Sequence, residues 1–269
     1  MNEYTIFQVD AFTTRLFGGN PAAVVPLADW LDETTLQNIA QENNLSETAF
    51  FTRSDQDDAD FHLRWFTPGA EIDLCGHATL ATAHVLFNEL DWYEETLRFS
   101  TQEAGILTVS RGEGSRLSLD FPARPGAAIE TSHELVDALG IQPLAVYKAR
   151  DHMALFATEA DVLKVTPDMD KLCRINPDGV IITAPSQDPE VDFVSRFFAP
   201  NHGVSEDPVT GSAHCTLVPF WADKLGKTTL EARQVSARGG ELSCIYDGDQ
   251  GRVYMSGQAV TYLKGAIFV

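Results

Sequence analysis

The pattern of apolar and polar positions alternates short extended segments with a few helical ones. Tyr4-Thr-Ile-Phe-Gln-Val-Asp-Ala-Phe12 is rich in β-branched and aromatic residues and predicts a strand. Gly18-Gly19-Asn20-Pro21 marks a turn, and Ala22 to Val25 resumes an extended apolar run. Asp32-Glu33 stands where an N-cap and first turn belong, ahead of a short helix that carries Leu36, Ile39 and Ala40 and runs out at Asn43-Asn44. Thr48 to Arg53 returns to strand composition, and Asp55 to Asp60 is a solvated acidic loop.

Two further helices have another character. From His77 to Leu90 the apolar residues Ala78, Leu80, Ala81, Ala83, Val85, Leu86 and Phe87 cover nearly every direction around the axis. A helix apolar all round belongs inside a core. The second, Ser212 to about Ala222, is similar but contains Pro219, which is expected to kink it or end its regular part early.

These helices belong to a repeat. Residues 64–84 and 196–216 share Arg64 with Arg196, Phe66 with Phe198 and Pro68 with Pro200, at one offset of 132 positions. Gly76 and Gly211 lie 135 positions apart, as do Thr101 and Ser236, Gly105 and Gly240, and Leu107 and Leu242, so the second copy contains three extra residues. The order predicts two halves of one plan, each a strand, a loop, a glycine-started helix and a further strand. The expected fold is α/β (α+β): two similar, pseudo-symmetric domains, each a curved, mostly antiparallel sheet around a buried central helix. The halves fall at 1–120 and 121–258, joined near Pro122-Ala-Arg-Pro-Gly126, with the last strand, 259–269, returning to the first.

Composition narrows the function classes. The 269 residues suit two domains or one large one, and 44% apolar with 22% charged residues excludes wholesale disorder. Lys and Arg number 19 against 39 Asp and Glu, a net charge of −20, which repels phosphate backbones and anionic lipid heads. Nucleic acid and membrane surfaces are therefore not expected partners. Cysteines 75, 173, 215 and 244 form no CxxC pair, so neither a disulfide scaffold nor a common zinc motif is indicated. The amino-terminal segment lacks the pattern of a signal peptide, and no apolar run approaches the roughly 20 residues of a spanning helix. A reducing cytoplasm is the expected location.

Glycine at the start of a buried helix lets a ligand approach free backbone N–H groups, an anion site strengthened by the helix dipole. Gly76-His77-Ala78 and Gly211-Ser212-Ala213, if they face one another across a cleft, would suit a small carboxylic acid; alternatively both glycines simply start helices. His77 and Ser212 hold equivalent places in the repeat, and Asp207 lies just upstream of the second helix. Glu47 sits between a helix and a strand beside Leu45, Ala49 and Phe50. Such surroundings are expected to raise a glutamate pKa from about 4.3, the range a proton shuttle needs. Cys75-x-His77 lacks a third or fourth metal ligand at suitable spacing, so no metal is expected. His84 and His214 read as core histidines, and Trp65 and Phe66 as core. Arg238 either reaches an anionic substrate or pairs with an acid near a bulge at Gly239-Gly240. Asn20 either hydrogen-bonds substrate or merely completes a turn.

The ordered motifs Val9-Asp-Ala-Phe, Phe17-Gly-Gly-Asn-Pro21, Asn44-Leu-Ser-Glu-Thr-Ala-Phe50, Arg64-Trp-Phe-Thr-Pro68, Leu74-Cys-Gly-His-Ala-Thr-Leu80, Glu206-Asp-Pro-Val-Thr-Gly-Ser-Ala-His214 and Gln234-Val-Ser-Ala-Arg-Gly-Gly240 span almost the whole chain. With them the sequence resembles the PhzF-like (phenazine biosynthesis) isomerases, a branch of the diaminopimelate epimerase-like fold. The resemblance implies an active site between two halves, with the general acid/base carried by Glu47. His77, Asp207 and Ser212 match polar residues of that site, and the resemblance tips Asn20 towards substrate. It also implies proton and double-bond migration in a carboxylate-bearing substrate, with no metal or organic cofactor, and it allows a homodimer. The related epimerases use two opposed thiols; Cys75 stands where the first would be, while Cys215 lies beyond its glycine, inside the helix. An amino- or imino-acid racemase using Cys75 and an inactive binding protein of the same fold are the competing readings.

Overall fold

The computed structural model describes residues 1–176 and 178–269. The chain forms two compact units, one of residues 1–120 with 256–269 and one of residues 121–255.

The first unit opens with β1 (Glu3–Ala11) and β2 (Asn20–Pro26), then α1 (Glu33–Asn43), β3 (Glu47–Arg53), β4 (Phe61–Phe66) and a two-residue β5 (Glu71–Ile72). There follow α2 (Gly76–Asn88), β6 (Thr96–Ser100), β7 (Ile106–Arg111) and β8 (Leu117–Pro122). β1 is antiparallel to β2. β2 runs parallel to β3, β3 antiparallel to β4, and β4 parallel to β6, before the antiparallel run β6–β7–β8. Asp32 caps α1 by accepting the Thr35 N–H, and Asn44 ends the helix in the left-handed conformation. That reversal lets β3 begin at Glu47.

One face of this sheet packs under α1, through Val25, Leu27, Leu36, Phe50 and Phe66. α2 packs against β1, β2 and β3. Its residues from Gly76 to Ala83 are all buried, threonines included. The Thr79 and Thr82 hydroxyls donate to the carbonyls of Cys75 and Ala78, one turn back, so the helix buries no unsatisfied hydroxyl.

The second unit contains β9 (Ala127–Ile129), α3 (His133–Leu139), β10 (Ala145–Lys148), β11 (His152–Leu155), α4 (Glu159–Lys164), α5 (Met169–Leu172), β12 (Val180–Pro185) and β13 (Phe193–Ala199). It continues with β14 (Val204–Asp207), α6 (Gly211–Leu225), β15 (Thr229–Gln234), β16 (Gly240–Asp247) and β17 (Arg252–Gly257). Pairing repeats the first unit: β10 antiparallel to β11, β11 parallel to β12, β12 antiparallel to β13, β13 parallel to β15, β15 antiparallel to β16. The last strand, β18 (Ala259–Phe268), pairs antiparallel with β1.

The repeat extends to side chains. Arg64 forks onto Glu71, with Nε and Nη2 each 2.7 Å from a carboxylate oxygen; Arg196 forks onto Glu206 at 2.7 and 2.9 Å. The two arginines are 132 positions apart and the two glutamates 135, so the extra residues lie between each arginine and its acid. These paired forks pin β5 to β4 and β14 to β13.

α6 departs from expectation. Pro219 does not end it; the helix runs on to Leu225. A proline at this place cannot donate to the Cys215 carbonyl, and the Arg124 N–H donates to that oxygen instead, at 2.8 Å.

Candidate active site

Two clusters of polar side chains stand at the starts of the two buried helices. In the first unit, parallel pairing aligns Ala22 with Glu47, so Asn20 and Glu47, the first residues of β2 and β3, emerge at the same end of neighbouring strands. Gly19 permits the turn into Asn20: its φ is +61°, and a Cβ there would stand 2.1 Å from the Ala11 carbonyl oxygen. Cys75 is the N-cap of α2 and His77 its second residue.

His77 is the hub. Its Nε2 lies 2.8 Å from Glu47 Oε2, with side-chain exposures of 4% and 12%. On the other side of the ring, Nδ1 lies 3.0 Å from the Asn20 amide nitrogen and 3.5 Å from Cys75 Sγ. With Asn20 donating to Nδ1, a neutral imidazole carries its hydrogen on Nε2, which is close to Glu47 but not aligned with it for a hydrogen bond; rotating the Asn20 amide by half a turn serves the doubly protonated ring equally well.

Burial pushes the Cys75 thiol up to about 11, helped by the charge of Glu47, so it stays protonated at neutral pH. Burial alone would push His77 down. Negative charge on Cys75, when ionised, and on Glu47 outweighs it, and His77 lies well above 6.5. Ionised Cys75 is the larger of the two raising influences, so with the thiol neutral at pH 7 only the weaker pull of Glu47 opposes burial.

Glu47, Cys75 and His77 also place ligand atoms within 4.8 Å of one another. Sequence spacing offered Cys75-x-His77 no third donor; the fold supplies Glu47. The three do not converge like a metal cage, since Glu47 and Cys75 approach opposite ring nitrogens and Asn20 occupies Nδ1.

In the second unit, the Asp207 carboxylate accepts the Thr210 hydroxyl at 2.5 Å. Gln234, fully buried, ties this turn down: its carbonyl oxygen accepts the Thr210 N–H at 2.9 Å and its amide donates to the Asp207 carbonyl at 2.7 Å. Ser236 donates to the Pro208 carbonyl and accepts from the Gly239 N–H. Ser212 belongs to a different group, 3.4 Å from Arg150 Nη2; the Arg150 Nε in turn lies 3.6 Å from Asp151, which is 1% exposed. Burial raises the Asp151 pKa against the pull of Arg150. Arg238 is half-buried on the turn between β15 and β16, where Gly239 takes a φ of +66°.

His214 holds the place of Thr79 and makes the same bond, Nδ1 to the carbonyl four residues earlier, at 2.8 Å. It is completely buried, and burial pushes its pKa down to about 4, so it is a neutral core residue. His84 is half-buried and bonds Thr261 Oγ1. Trp65 is a core residue, 1% exposed.

α1, α3, α4 and α5 each begin with a side-chain cap, from Asp32, Ser132, Thr158 and Asp168. Neither α2 nor α6 has one. Their first-turn N–H groups are not satisfied by a capping side chain. Sequence reading singled out Glu47, His77, Asp207 and Ser212 but passed over Arg150 and Asp151, which lie in no motif, and used Gln234 only as part of one.

Comparison with known proteins defines first a class, that of the epimerase-like α/β folds. A hydroxyproline epimerase of Agrobacterium vitis, 12% identical, superposes with a TM-score of 0.64 over 98% of this chain and 92% of its own, a likeness of fold alone. The family is narrower. Residues 9–265 match the phenazine biosynthesis-like protein family, PhzC-PhzF, and the chain belongs to it. A PhzF-family crystal structure from Enterococcus faecalis is 46% identical, with a TM-score of 0.93 and full coverage of both chains. A Pseudomonas aeruginosa protein described as an uncharacterized isomerase is 51% identical over 98% of this chain and 99% of its own. Among the described residues no helix is long and apolar enough to cross a membrane.

Proposed function

We propose that the protein is a cofactor-independent isomerase that moves a proton, and with it a double bond, within a small carboxylate-bearing substrate. The observation that carries this reading is the close pairing of the largely enclosed Glu47, at the start of β3, with the buried His77 of α2, 2.8 Å apart. Glu47 enters the cycle as the base. It takes a proton from a carbon next to a conjugated system, the C–H electron pair moves into that system, and the same carboxyl returns the proton to another carbon as the double bond shifts. His77 holds Glu47 in place and supplies positive charge beside it while negative charge builds on the substrate. The uncapped first turn of α2, at Gly76 and His77, offers N–H donors to the substrate carboxylate. Asp207, Ser212, Gly211 and Arg238 enter as substrate-contacting groups on the strength of the family resemblance.

Asn20 is assigned here to His77 rather than to substrate, because its amide already faces Nδ1 at 3.0 Å. Cys75, a neutral buried thiol, forms a wall of the cluster. The test is proton–deuterium exchange on a panel of cyclic and amino carboxylic acids, comparing wild type with Glu47→Gln and Cys75→Ala. Glu47→Gln is expected to lose at least a hundredfold, the range of a removed general base, and Cys75→Ala to keep its turnover. The converse result, loss with Cys75→Ala and retention with Glu47→Gln, belongs to a thiol racemase and overturns the assignment.

A further inference from the structure

The second unit contains a cavity of about 440 Å³ that shares no residue with either polar cluster. Its walls are Ser132, Glu134 and Asp137 from the start of α3, His152 at the head of β11, and Lys171, Arg174 and Ile175 from α5 and the turn after it. A space of this size suits a small metabolite.

The charges lining it are not equivalent. Lys171 and Asp137 neutralise one another at 2.6 Å, with Asp168 a further 3.8 Å partner of the lysine. Arg174 and Glu134, both exposed, have no side-chain hydrogen bond or ion pair among the described residues. One unpaired cation and one unpaired anion therefore share the cavity. His152 adds a polar group: its Nδ1 is enclosed and has no hydrogen-bond partner among the described residues. Burial and nearby Lys148 hold this imidazole neutral at pH 7, so it adds no charge to the cavity.

A ligand that matches such a cavity carries a carboxylate for Arg174 and an ammonium for Glu134. Net charge points the same way. A chain at −20 repels a free anion but imposes no net penalty on a zwitterion. We propose that this cavity binds a free α-amino acid, its carboxylate on Arg174 and its ammonium on Glu134. The inference stands apart from the proposed isomerase reaction and does not depend on it.

The test is titration calorimetry of the full chain with each of the twenty common L-amino acids. It is repeated, for the tightest binder, with the matching hydroxy acid and the matching decarboxylated amine. At least one amino acid is expected to bind saturably below about 10 mM. Arg174→Glu and Glu134→Gln are each expected to weaken that binding roughly tenfold or more, the worth of a charge-assisted contact. Both residues are exposed, so both variants are expected to fold like wild type. No saturable binding by any amino acid, wild-type affinity in either variant, or equal affinity for the hydroxy acid or the amine would each overturn the proposal. Glu47→Gln is expected to bind the amino acid as wild type does, which separates this site from the proposed catalytic cluster.

Discussion

Replacing Glu47 with Gln tests the electrostatics of the candidate site without reference to any substrate. At 2.8 Å, two unit charges in surroundings of effective dielectric about 20 attract by roughly 6 kcal/mol. Removing both charges from water costs several kcal/mol per ion, so the pair as a whole contributes far less than that gross figure. Breaking it from one side is the expensive change, about 3–5 kcal/mol for a buried pair. In Glu47→Gln the ring loses the one neighbouring negative charge among the described residues that opposes burial at neutral pH, since Cys75 is protonated up to about 11. Burial then dominates and His77 gives up its proton. Deprotonation caps the cost, and a destabilisation near the low end, about 3 kcal/mol, is expected at pH 6, where an ordinary histidine is largely charged. His77 lies above 6.5 in the folded protein, so the wild-type pair contributes fully below about that pH and its contribution fades as pH rises through the folded value. The variant's deficit should therefore shrink at high pH. Ring-nitrogen NMR of His77 across pH 5–9, with urea unfolding at each end, measures both effects. A ring that titrates identically in wild type and Glu47→Gln, or a deficit below about 1 kcal/mol at pH 6, would refute the pairing argument.

Other expectations rest on separate features. Asn20→Ala removes a fully buried amide from His77 Nδ1 and should cost about 1–3 kcal/mol in chemical unfolding; a cost near zero would mean that the bond contributes nothing. Arg124→Pro deletes the N–H that serves the Cys215 carbonyl beneath Pro219 and should cost a similar 1–3 kcal/mol, with the loss seen as accelerated amide exchange in α6. Gly179→Ala would put a methyl 2.4 Å from the Phe197 ring, so a loss of about 1–3 kcal/mol in thermal or urea unfolding is expected, and a neutral result would show that the ring moves freely. Cys75, at 6% exposure and a pKa of about 11, should resist iodoacetamide at pH 7.5 in the folded state; labelling at the rate of a free thiol would contradict its burial.

The readable parts of this chain were those whose partners lie close in sequence or whose pattern is periodic. α2 announces itself because its apolar residues surround the axis, and its threonines cause no conflict because each bonds within its own turn. Asp32 reads as a cap because the residue it caps is three positions on. Pro219 misled because the donor that replaces its missing bond comes from Arg124, far away along the chain. The Glu47–His77 contact was equally hidden: thirty residues separate the two, and only the parallel pairing of β2 with β3 brings Glu47 to the start of α2. Arg150 and Asp151 went unnoticed because what marks them is burial and the reach of one guanidinium to Ser212, neither of which a composition reveals.

The repeat that made the fold legible also bears on the chemistry through the places where it fails. Strand register equates Phe50, opposite Arg64, with Ile182, opposite Arg196. Three positions earlier, Glu47 therefore corresponds to Gly179, just before β12, where a Cβ would stand 2.4 Å from the Phe197 ring. One step into each buried helix, His77 corresponds to Ser212, which cannot hold an imidazolium, and the N-cap Cys75 corresponds to Thr210. The backbone plan is thus duplicated while Glu47, Cys75 and His77 are not. A two-base racemase needs an acid or base from each half at matching places, and the second copy offers a glycine, a serine and a threonine there. A single carboxyl that takes a proton and gives it back, as proposed for Glu47, needs only the first copy.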